Sequence, residues 1–494
     1  IYGGARQNQV RTTINVNLLG GTVNDVYGAN ILTSQAQLNS DSSLENVNVV
    51  IGDNSLDSTP TINGTVYGSG SYDRVGIATI QLVKAETTPT VYGGSKVTGV
   101  TTETKIYLNG MTLNEIYGGS NGIGAVTTSR IYLQSGTVKD VYGAGYGGTV
   151  TTTYVSLRGV DDKKATATNI FGGPNNSGSA DTSNVTLNSG TVTNVYGGGY
   201  NGEVRVANAN VTFAGSTMNV SAIYGGSKNG GTTTETNVLI KQGSATNVYG
   251  GGQNQVLVTT ANVTKQGGSV RNIFGGNNAN GYDESEVVVA NVNIVKTKAR
   301  NVYGGGANGG FTMRTVVNIS GESEISGDLY GGGYESNVGL DGNSGSTTMN
   351  IVGGIIDTNV NGGSKDGFVY GDTNVNVGSD ASTVGSLVRA EIDINGNIYG
   401  AGDTYKAHTN LVEYDYNTVT VFGNTHITLD NSGNKIFFGE NIYGAGNAGN
   451  YSTNNTANDE STVTIRNFGT SSTSYGMVSI QRTGKVYIQS SYLE

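Results

Sequence analysis

The chain has 494 residues and a formal net charge of −10, and it combines 79 glycines with three prolines, no cysteine and no tryptophan. This acidic balance argues against binding to nucleic acid or to anionic lipid, because both attract clustered Lys and Arg. The absence of cysteine excludes disulfides, catalytic thiols and thiolate metal sites. No apolar run approaches the roughly 18 residues of a transmembrane helix, so we expect no membrane span.

A Val-Tyr-Gly-Gly motif recurs along the whole chain. Seven of the fifteen intervals between its aromatic residues are 25 residues long, and most of the others are two to four residues longer. A fixed period of this length is typical of repeat proteins, in which each unit buries its apolar face against its neighbours. The motif aromatics are Tyr2, Tyr27, Tyr67, Tyr92, Tyr117, Tyr142, Phe171, Tyr196, Tyr224, Tyr249, Phe274, Tyr303, Tyr330, Tyr370, Tyr399 and Tyr443.

The first stretched interval lies near the start of the chain, at residues 28–66. Residues 47–51 within it read Val-Asn-Val-Val-Ile, which has the composition of a β-strand. We therefore predict an additional turn with an eroded motif in this interval, in preference to a long loop.

The most regular unit runs from residue 92 to residue 116. Residues 101–108 alternate with a period of two, which predicts a strand with Thr102 and Thr104 on the same inward face as the apolar residues that follow. Two further short strands precede the next motif. Three short strands per turn of about 25 residues, without any helical pattern, predict an all-β fold, a single-stranded parallel β-helix or β-solenoid.

Later units repeat this pattern with local departures. Residues 160–167 contain Asp-Asp-Lys-Lys and predict a small charged loop. The intervals 331–369 and 400–442 are also stretched, and each holds either an extra turn with an eroded motif or a long loop. Residues 349–352, Met-Asn-Ile-Val, indicate an eroded turn in the first of them. The motif ceases after Tyr443. We therefore divide the chain into a β-solenoid rod over residues 1–446 and irregular terminal turns or a cap over residues 447–494.

Stacked turns would place the motif aromatics in one column. The column has two candidate roles, a platform for sugar rings or for another protein, and simple packing over the glycine-rich corners. Phe171 and Phe274 replace tyrosine in the column, so the hydroxyl is dispensable in those turns. The candidate ligand-binding residues of this aromatic ladder are Tyr92, Tyr117, Tyr142, Tyr196 and Tyr249.

A polar ladder immediately precedes the first inward apolar residue of the long strand. Stacked side-chain amides can hydrogen-bond along the axis and brace a sheet. The alternative is that these amides are presented to a glycan, and we favour bracing. The members of the ladder are Asn184, Asn210, Asn237, Asn262 and Asn291.

Three other kinds of site receive less support from the sequence. Ice binding would need a regular outward row of threonines, whereas the alternation turns the pairs 102/104, 151/153 and 234/236 inward. Glu115 and Asp140 share an offset in adjacent turns, and their expected separation suits a retaining glycosidase. Asn occupies the same bend position elsewhere, which explains both acids without catalysis. With no cysteine and only two separate histidines, His408 and His426, we predict no metal site and no cofactor.

The motif Val-Tyr-Gly-Gly-Gly at residues 195–199 and 302–306 is followed by Thr-rich strands and Gly-Thr-Val corners. This sequence pattern resembles the β-solenoid repeat regions of large bacterial cell-surface proteins of the adhesin-like type. The resemblance implies a secreted stalk or adhesin built as a parallel β-helix and attached to the wall or membrane. It does not imply a particular ligand.

These features together predict a non-enzymatic, extracellular, structural or adhesive β-solenoid. Its repeated ladders would contact a polysaccharide, a host glycan or a host protein. We also expect end-to-end or lateral contacts between copies, because an uncapped turn exposes a sheet edge. A carbohydrate-active β-helix enzyme, either a polysaccharide hydrolase or a lyase, is the alternative function, and an ice-binding protein is a weaker one.

Overall fold

Both compact units of the chain, Ile1–Thr236 and Asn237–Glu494, are parallel β-solenoids with about 26 residues per turn. Within the part of the chain that the structure describes there is no helix, and therefore none that is long and apolar enough to cross a membrane. This confirms the predicted fold class. The computed structural model describes residues 1–4, 12–30, 44–160, 162–340, 345–378, 389–402, 419–431, 436–444, 446, 450–451, 461–466, 478–479 and 484–489.

Two strands recur along the first unit, either separate or joined into one, and equivalent strands of successive turns pair in parallel. The long strand carries the inward apolar pair, and the motif strand ends at the motif aromatic residue. The long strands are Thr13–Leu18, Leu44–Ile51, Arg74–Leu82, Val100–Tyr117, Ala125–Tyr142, Thr149–Leu157, Ser177–Leu187 and Glu203–Phe213. The motif strands are Val26–Tyr27, Thr65–Tyr67, Thr90–Tyr92, Ala165–Phe171, Thr191–Tyr196 and Asn219–Tyr224, and Thr22–Val23 pairs separately with Thr61–Ile62. The strand Thr232–Ile240 spans the boundary between the two units.

The second unit has the same two strands and adds a short strand between them. Its long strands are Leu257–Lys265, Glu286–Val295, Phe311–Ser320, Asn337–Val338, Ser346–Ile351, Asp372–Val377, Thr425–Asp430, Ser461–Arg466 and Gly484–Gln489. Its motif strands are Ser244–Tyr249, Ser269–Phe274, Asn301–Tyr303, Leu329–Tyr330, Val360–Asn361, Ile398–Tyr399, Ile442–Tyr443 and Val478–Ser479. The added strands are Lys298–Ala299, Glu324–Ile325, Gly354–Ile356, Ile392–Ile394 and Ile436–Phe438, and Val419–Val421 pairs with Asn450–Tyr451.

The three short strands of a turn are separate in some turns and joined in others. They are separate in the turn that contains Glu286–Val295, Lys298–Ala299 and Asn301–Tyr303. In Val100–Tyr117 and Ala125–Tyr142 one strand runs through the corner without a break. Gly110 and Gly136 occupy these corners with φ values of 142° and 97°, a region that side chains with a Cβ rarely adopt.

The turns close around a narrow apolar core, and several of them add a hydrogen bond from an inward hydroxyl. Thr153 is fully buried, and its Oγ1 donates to the carbonyl oxygen of Gly172 at 2.6 Å, in the corner of the same turn. The equivalent bond joins Thr104 to Gly118 at 2.6 Å and, in the second unit, Thr315 to Gly331 at 2.6 Å. The inward threonines therefore satisfy corner carbonyls that would otherwise be buried without a partner.

The inward orientation that the sequence predicts for both threonines of each pair is only half right. Thr104, Thr153 and Thr236 are buried, but Thr102, Thr151 and Thr234 are exposed. The alternation shifts by one residue just before the inward threonine, so that two consecutive residues face outward. An outward row of threonines therefore does exist at residues 102, 127 and 151, but it ends after three turns at the exposed Asp181.

The stretched intervals resolve in two different ways. Residues 28–66 form one turn, because Tyr27 pairs and stacks directly with Tyr67 at 5.0 Å, so the predicted additional turn is wrong there. The interval 400–442 is likewise one turn, with Tyr399 stacked on Tyr443 at 5.0 Å.

The eroded turn predicted within residues 331–369 is confirmed. Asn361 pairs with Tyr330 on one side and with Tyr399 on the other. Asn361 therefore takes the column position, and Tyr370, which the sequence assigned to the motif, lies outside the column and stacks on Phe422 instead.

Candidate functional site

The motif aromatics other than Tyr370 form the predicted column, and all of these except Tyr2 and Tyr443 are buried in it. The ring centroids of Tyr92 and Tyr117 are 4.5 Å apart, and those of Tyr117 and Tyr142 are 4.8 Å apart. The same spacing of 4.8 Å joins Tyr196 to Tyr224 and Tyr249 to Phe274. The five predicted ligand-binding tyrosines, Tyr92, Tyr117, Tyr142, Tyr196 and Tyr249, keep between 1% and 7% of their surface exposed. Their ring faces are covered by one another, which is the packing role, and they offer no open platform to a sugar.

A second row of side chains covers the edge of this column in the first unit. Tyr146 and Tyr200 set their ring edges against Tyr117 and Phe171, at 6.3 and 5.5 Å. The Asn175 amide donates to the Tyr117 hydroxyl at 2.7 Å. Burial raises the pKa of the Tyr117 hydroxyl well above its ordinary value, which is expected for a phenol shielded from water.

The polar ladder has the bracing bonds that the sequence predicts. The Asn210 amide donates to Asn184 Oδ1 at 3.2 Å, the Asn262 amide to Asn237 at 3.0 Å, and the Asn291 amide to Asn262 at 2.8 Å. These amides are partly buried and hydrogen-bond along the solenoid axis. The ladder is therefore placed to hold successive turns in register.

The acidic pair proposed from the sequence belongs to another ladder of this kind. Glu115 and Asp140 are register partners in adjacent turns, and both are half-buried. Asp140 Oδ1 accepts a hydrogen bond from the Asn169 amide at 2.7 Å, and Asn194 continues the row by donating to Asn169 at 3.0 Å. The bend position thus carries hydrogen bonds between turns, whether Asp or Asn occupies it.

Of the two histidines, the structure describes only His426. His426 lies in the strand Thr425–Asp430 beside Asn374 and Thr462. His408 lies outside the described residues. Over the ranges that the structure describes, no group of three His, Cys, Asp or Glu side chains is placed to hold a metal ion.

The strongest surface feature is a short stack of tyrosines on the outward face of the long strands of the first unit. Tyr107 and Tyr132 are register partners in consecutive turns, with ring centroids 4.8 Å apart and an interplanar angle of 15°. Both are half-buried, unlike the tyrosines of the column. The next turn places Ser156 at this position. The face of Tyr132 that points along the axis therefore meets a small polar residue where a third ring would continue the stack.

A loop overhangs this open ring face and completes a cleft of about 600 Å³. The loop follows Leu157, and it is tightened by a hydrogen bond from the Lys163 backbone N–H to the Val160 carbonyl at 3.0 Å. The Gly159 N–H donates to Ser189 Oγ at 2.7 Å, which ties the loop to the following turn. The tyrosine cleft, as we name it, is lined by Tyr107, Tyr132, Gln134, Ser156, Arg158, Gly159 and Val160.

An ion cluster lies on the same outward face, beside the tyrosine cleft. Glu103 Oε2 lies 2.9 Å from Lys105 Nζ, and its Oε1 lies 2.8 Å from Arg130 Nε. The Arg130 guanidinium also lies over the Tyr154 ring, 4.4 Å from its centroid. Partial burial acts to raise the pKa of Glu103, but the hydrogen bonds from Lys105 and Arg130 outweigh it and hold that pKa below its ordinary value. Both cations are therefore committed to contacts within the protein.

Sequence reasoning missed the tyrosine cleft although the signal was present. The period-two alternation of residues 101–108 puts Tyr107 on the outward face, and Tyr132 holds the same place in the next turn. The missing step was to combine the outward tyrosine pair with the interval from Tyr142 to Phe171, which is 29 residues instead of 25. Those extra residues fall in the loop that forms the overhang.

The cleft combines an open aromatic face, amide and hydroxyl groups at Gln134 and Ser156, and the exposed guanidinium of Arg158. An aromatic face with polar groups around it can hold a ring that has one apolar side and a polar rim, as a pyranose has. No protein-family model, curated protein sequence or solved structure matches this chain.

Proposed function

We propose that the protein is a non-enzymatic, extracellular β-solenoid of a bacterial cell surface, with a structural or adhesive role, and that it binds a polysaccharide in the tyrosine cleft. The observation that carries the proposal is the open face of Tyr132. The Tyr107–Tyr132 stack ends above Ser156, so a sugar ring can occupy the place of a third aromatic ring.

The chemistry of the cleft suits a sugar better than a purely apolar ligand. The axial C–H groups of a pyranose pack against an aromatic face, while its hydroxyls need hydrogen-bond partners at the rim. Gln134 and Ser156 supply such partners beside the Tyr132 ring. Successive turns lie about 4.8 Å apart, so a polymer that runs along the axis meets a new set of outward side chains at each turn.

Binding is tested by retention on a panel of polysaccharides in affinity electrophoresis, followed by calorimetry with oligosaccharides. We expect Tyr132→Ala to weaken binding about tenfold or more, because it removes the aromatic face. Ser156→Tyr should abolish binding by completing the stack. Tyr282→Ala, in an exposed loop of the second unit, is the matched control. Unchanged affinity in both cleft variants would contradict the proposal.

The same panel distinguishes a binding protein from the alternative, a carbohydrate-active enzyme. A binding protein retains the polymer without releasing reducing ends. If the native protein releases reducing ends and the Glu115→Gln variant does not, the protein is a carbohydrate-active enzyme and our proposal is overturned.

A further inference from the structure

We propose that the glycan bound in the tyrosine cleft is acidic and that Arg158 binds the carboxylate of one of its sugars. This inference rests on the proposed function and names the class of its ligand. It comes from the charge around the cleft and from the contacts that Arg158 makes.

Positive charge is concentrated around the cleft in a chain whose net charge is −10. By sequence, residues 103–107, 130–134 and 154–164, which supply the cleft lining and the ion cluster, hold five cationic residues against three acidic ones. The cations are Lys105, Arg130, Arg158, Lys163 and Lys164, and the acids are Glu103, Asp161 and Asp162. A local excess of cations on an acidic protein attracts an anion to this place in preference to the rest of the surface.

Arg158 is the cation that lines the cleft itself, and it forms no ion pair with a described residue. Lys105 and Arg130 share the Glu103 carboxylate, whereas no carboxylate of the described residues lies within 4.0 Å of the Arg158 guanidinium. The side chain is exposed, and its backbone N–H donates to the Leu133 carbonyl at 3.0 Å, which fixes the base of the residue beside Tyr132. The guanidinium is therefore available to a ligand at a defined place.

A carboxylate on a sugar ring fits this arrangement of groups. The planar guanidinium can donate two parallel hydrogen bonds to one carboxylate. In a uronic acid the carboxylate is attached directly to the pyranose ring. One sugar can therefore place its ring on the Tyr132 face and its carboxylate on Arg158 within the same cleft. A neutral sugar would leave the guanidinium unused.

The test compares the same sugar with and without its charge. Oligomers of several uronic acids, each as the free acid and as the methyl ester, are titrated calorimetrically into the native protein at low ionic strength. We expect at least one free acid to bind about tenfold or more tightly than its ester, since a charge-assisted bidentate pair discriminates by that order. Arg158→Gln should remove the difference between acid and ester. Arg205→Gln, an exposed arginine on a long strand of the same unit, should preserve it.

The outcomes separate this inference from the proposed function. If neutral glycans or methyl esters bind and no free acid binds more tightly, the inference fails and glycan binding stands. If no glycan binds, the proposed function fails as well. A preference for free acids that survives in Arg158→Gln, or tighter binding of a single-stranded oligonucleotide through Arg158, also overturns the assignment.

Discussion

Lys265 occupies a position that apolar residues hold in other turns. It ends the strand Leu257–Lys265, and its register partner in the next turn is Ile294. Its side chain is fully buried, and Nζ donates to the Gly268 carbonyl at 2.8 Å and to Thr297 Oγ1 at 2.7 Å. Burial lowers the pKa of this amine from 10.5 to about 8, because a charged amine is disfavoured away from water.

This shift makes stability depend on pH in a specific direction. Between about pH 8 and 10.5 the unfolded chain holds a proton on Lys265 that the folded chain releases, so this group makes the folded state more stable as pH rises. We expect the free energy of unfolding of the native protein, relative to Lys265→Met, to increase by on the order of 3 kcal/mol across this window. Urea denaturation of both proteins at pH 7.5, 9 and 10 measures the difference between their free energies of unfolding. The contribution of tyrosine ionisation cancels from this difference, because both proteins contain the same tyrosines. Parallel pH profiles would contradict the prediction.

At the scale of the single turn, the inward hydroxyl and the glycine corner work as a pair. Thr153 binds the Gly172 carbonyl, and a Cβ at Gly143 would lie 2.2 Å from that same oxygen. The glycine therefore lets neighbouring corners approach, and the threonine satisfies the carbonyl that this approach buries. Ser129 holds the equivalent inward position, yet its hydroxyl has no hydrogen-bond partner among the described residues.

Adjacent threonines on one strand provide a controlled test of this bond. Thr153→Val keeps the shape of the side chain and leaves the Gly172 carbonyl without its donor, so we expect a loss of about 1–3 kcal/mol in the free energy of unfolding. Thr152→Val, on the outward half-buried side of the same strand, should change stability by less than about 0.5 kcal/mol. Urea midpoints followed by circular dichroism give both values. Equal midpoints would mean that the Thr153 bond contributes nothing.

Some features of a turn can be predicted from the sequence, and others cannot. The period, the parallel stacking and the amide ladder follow from repeated residue types, because stacked turns place equal positions in contact. The phase shift that exposes Thr102 could not be read in this way, since threonine is tolerated on either face of a strand. The column position of Asn361 could not be predicted either. Backbone pairing keeps this residue in the column although it has no aromatic ring.

At the scale of the molecule, contacts are local along the chain. Ala125–Tyr142 pairs with Val100–Tyr117 on one side and with Thr149–Leu157 and Ala165–Phe171 on the other. In such arrays the stability of a turn depends on itself and on its nearest neighbours. Damage in one turn should therefore remain local.

Hydrogen exchange measured by mass spectrometry tests this locality. Leu133 is fully buried, and Leu133→Ala should cost about 2–5 kcal/mol through the cavity that it leaves. We expect faster exchange in peptides from residues 100–171 and unchanged exchange in peptides from residues 286–320. Ile123→Ala, at a side chain that is 79% exposed, should change neither region. Equal acceleration in both regions would indicate a single cooperative unit instead.

The overhanging loop at residues 158–160 shows how a single turn of a repetitive fold can gain a surface feature that the other turns lack. The loop covers a tyrosine pair from the two preceding turns, with Tyr132 one turn earlier and Tyr107 two turns earlier. The strands of those turns still pair in register, although the corner is longer. A cleft can thus be added by lengthening one bend at a time, while the scaffold keeps its geometry. Grafting residues 158–164 onto another bend that follows two outward tyrosines would then create a second cleft of this kind on the same chain.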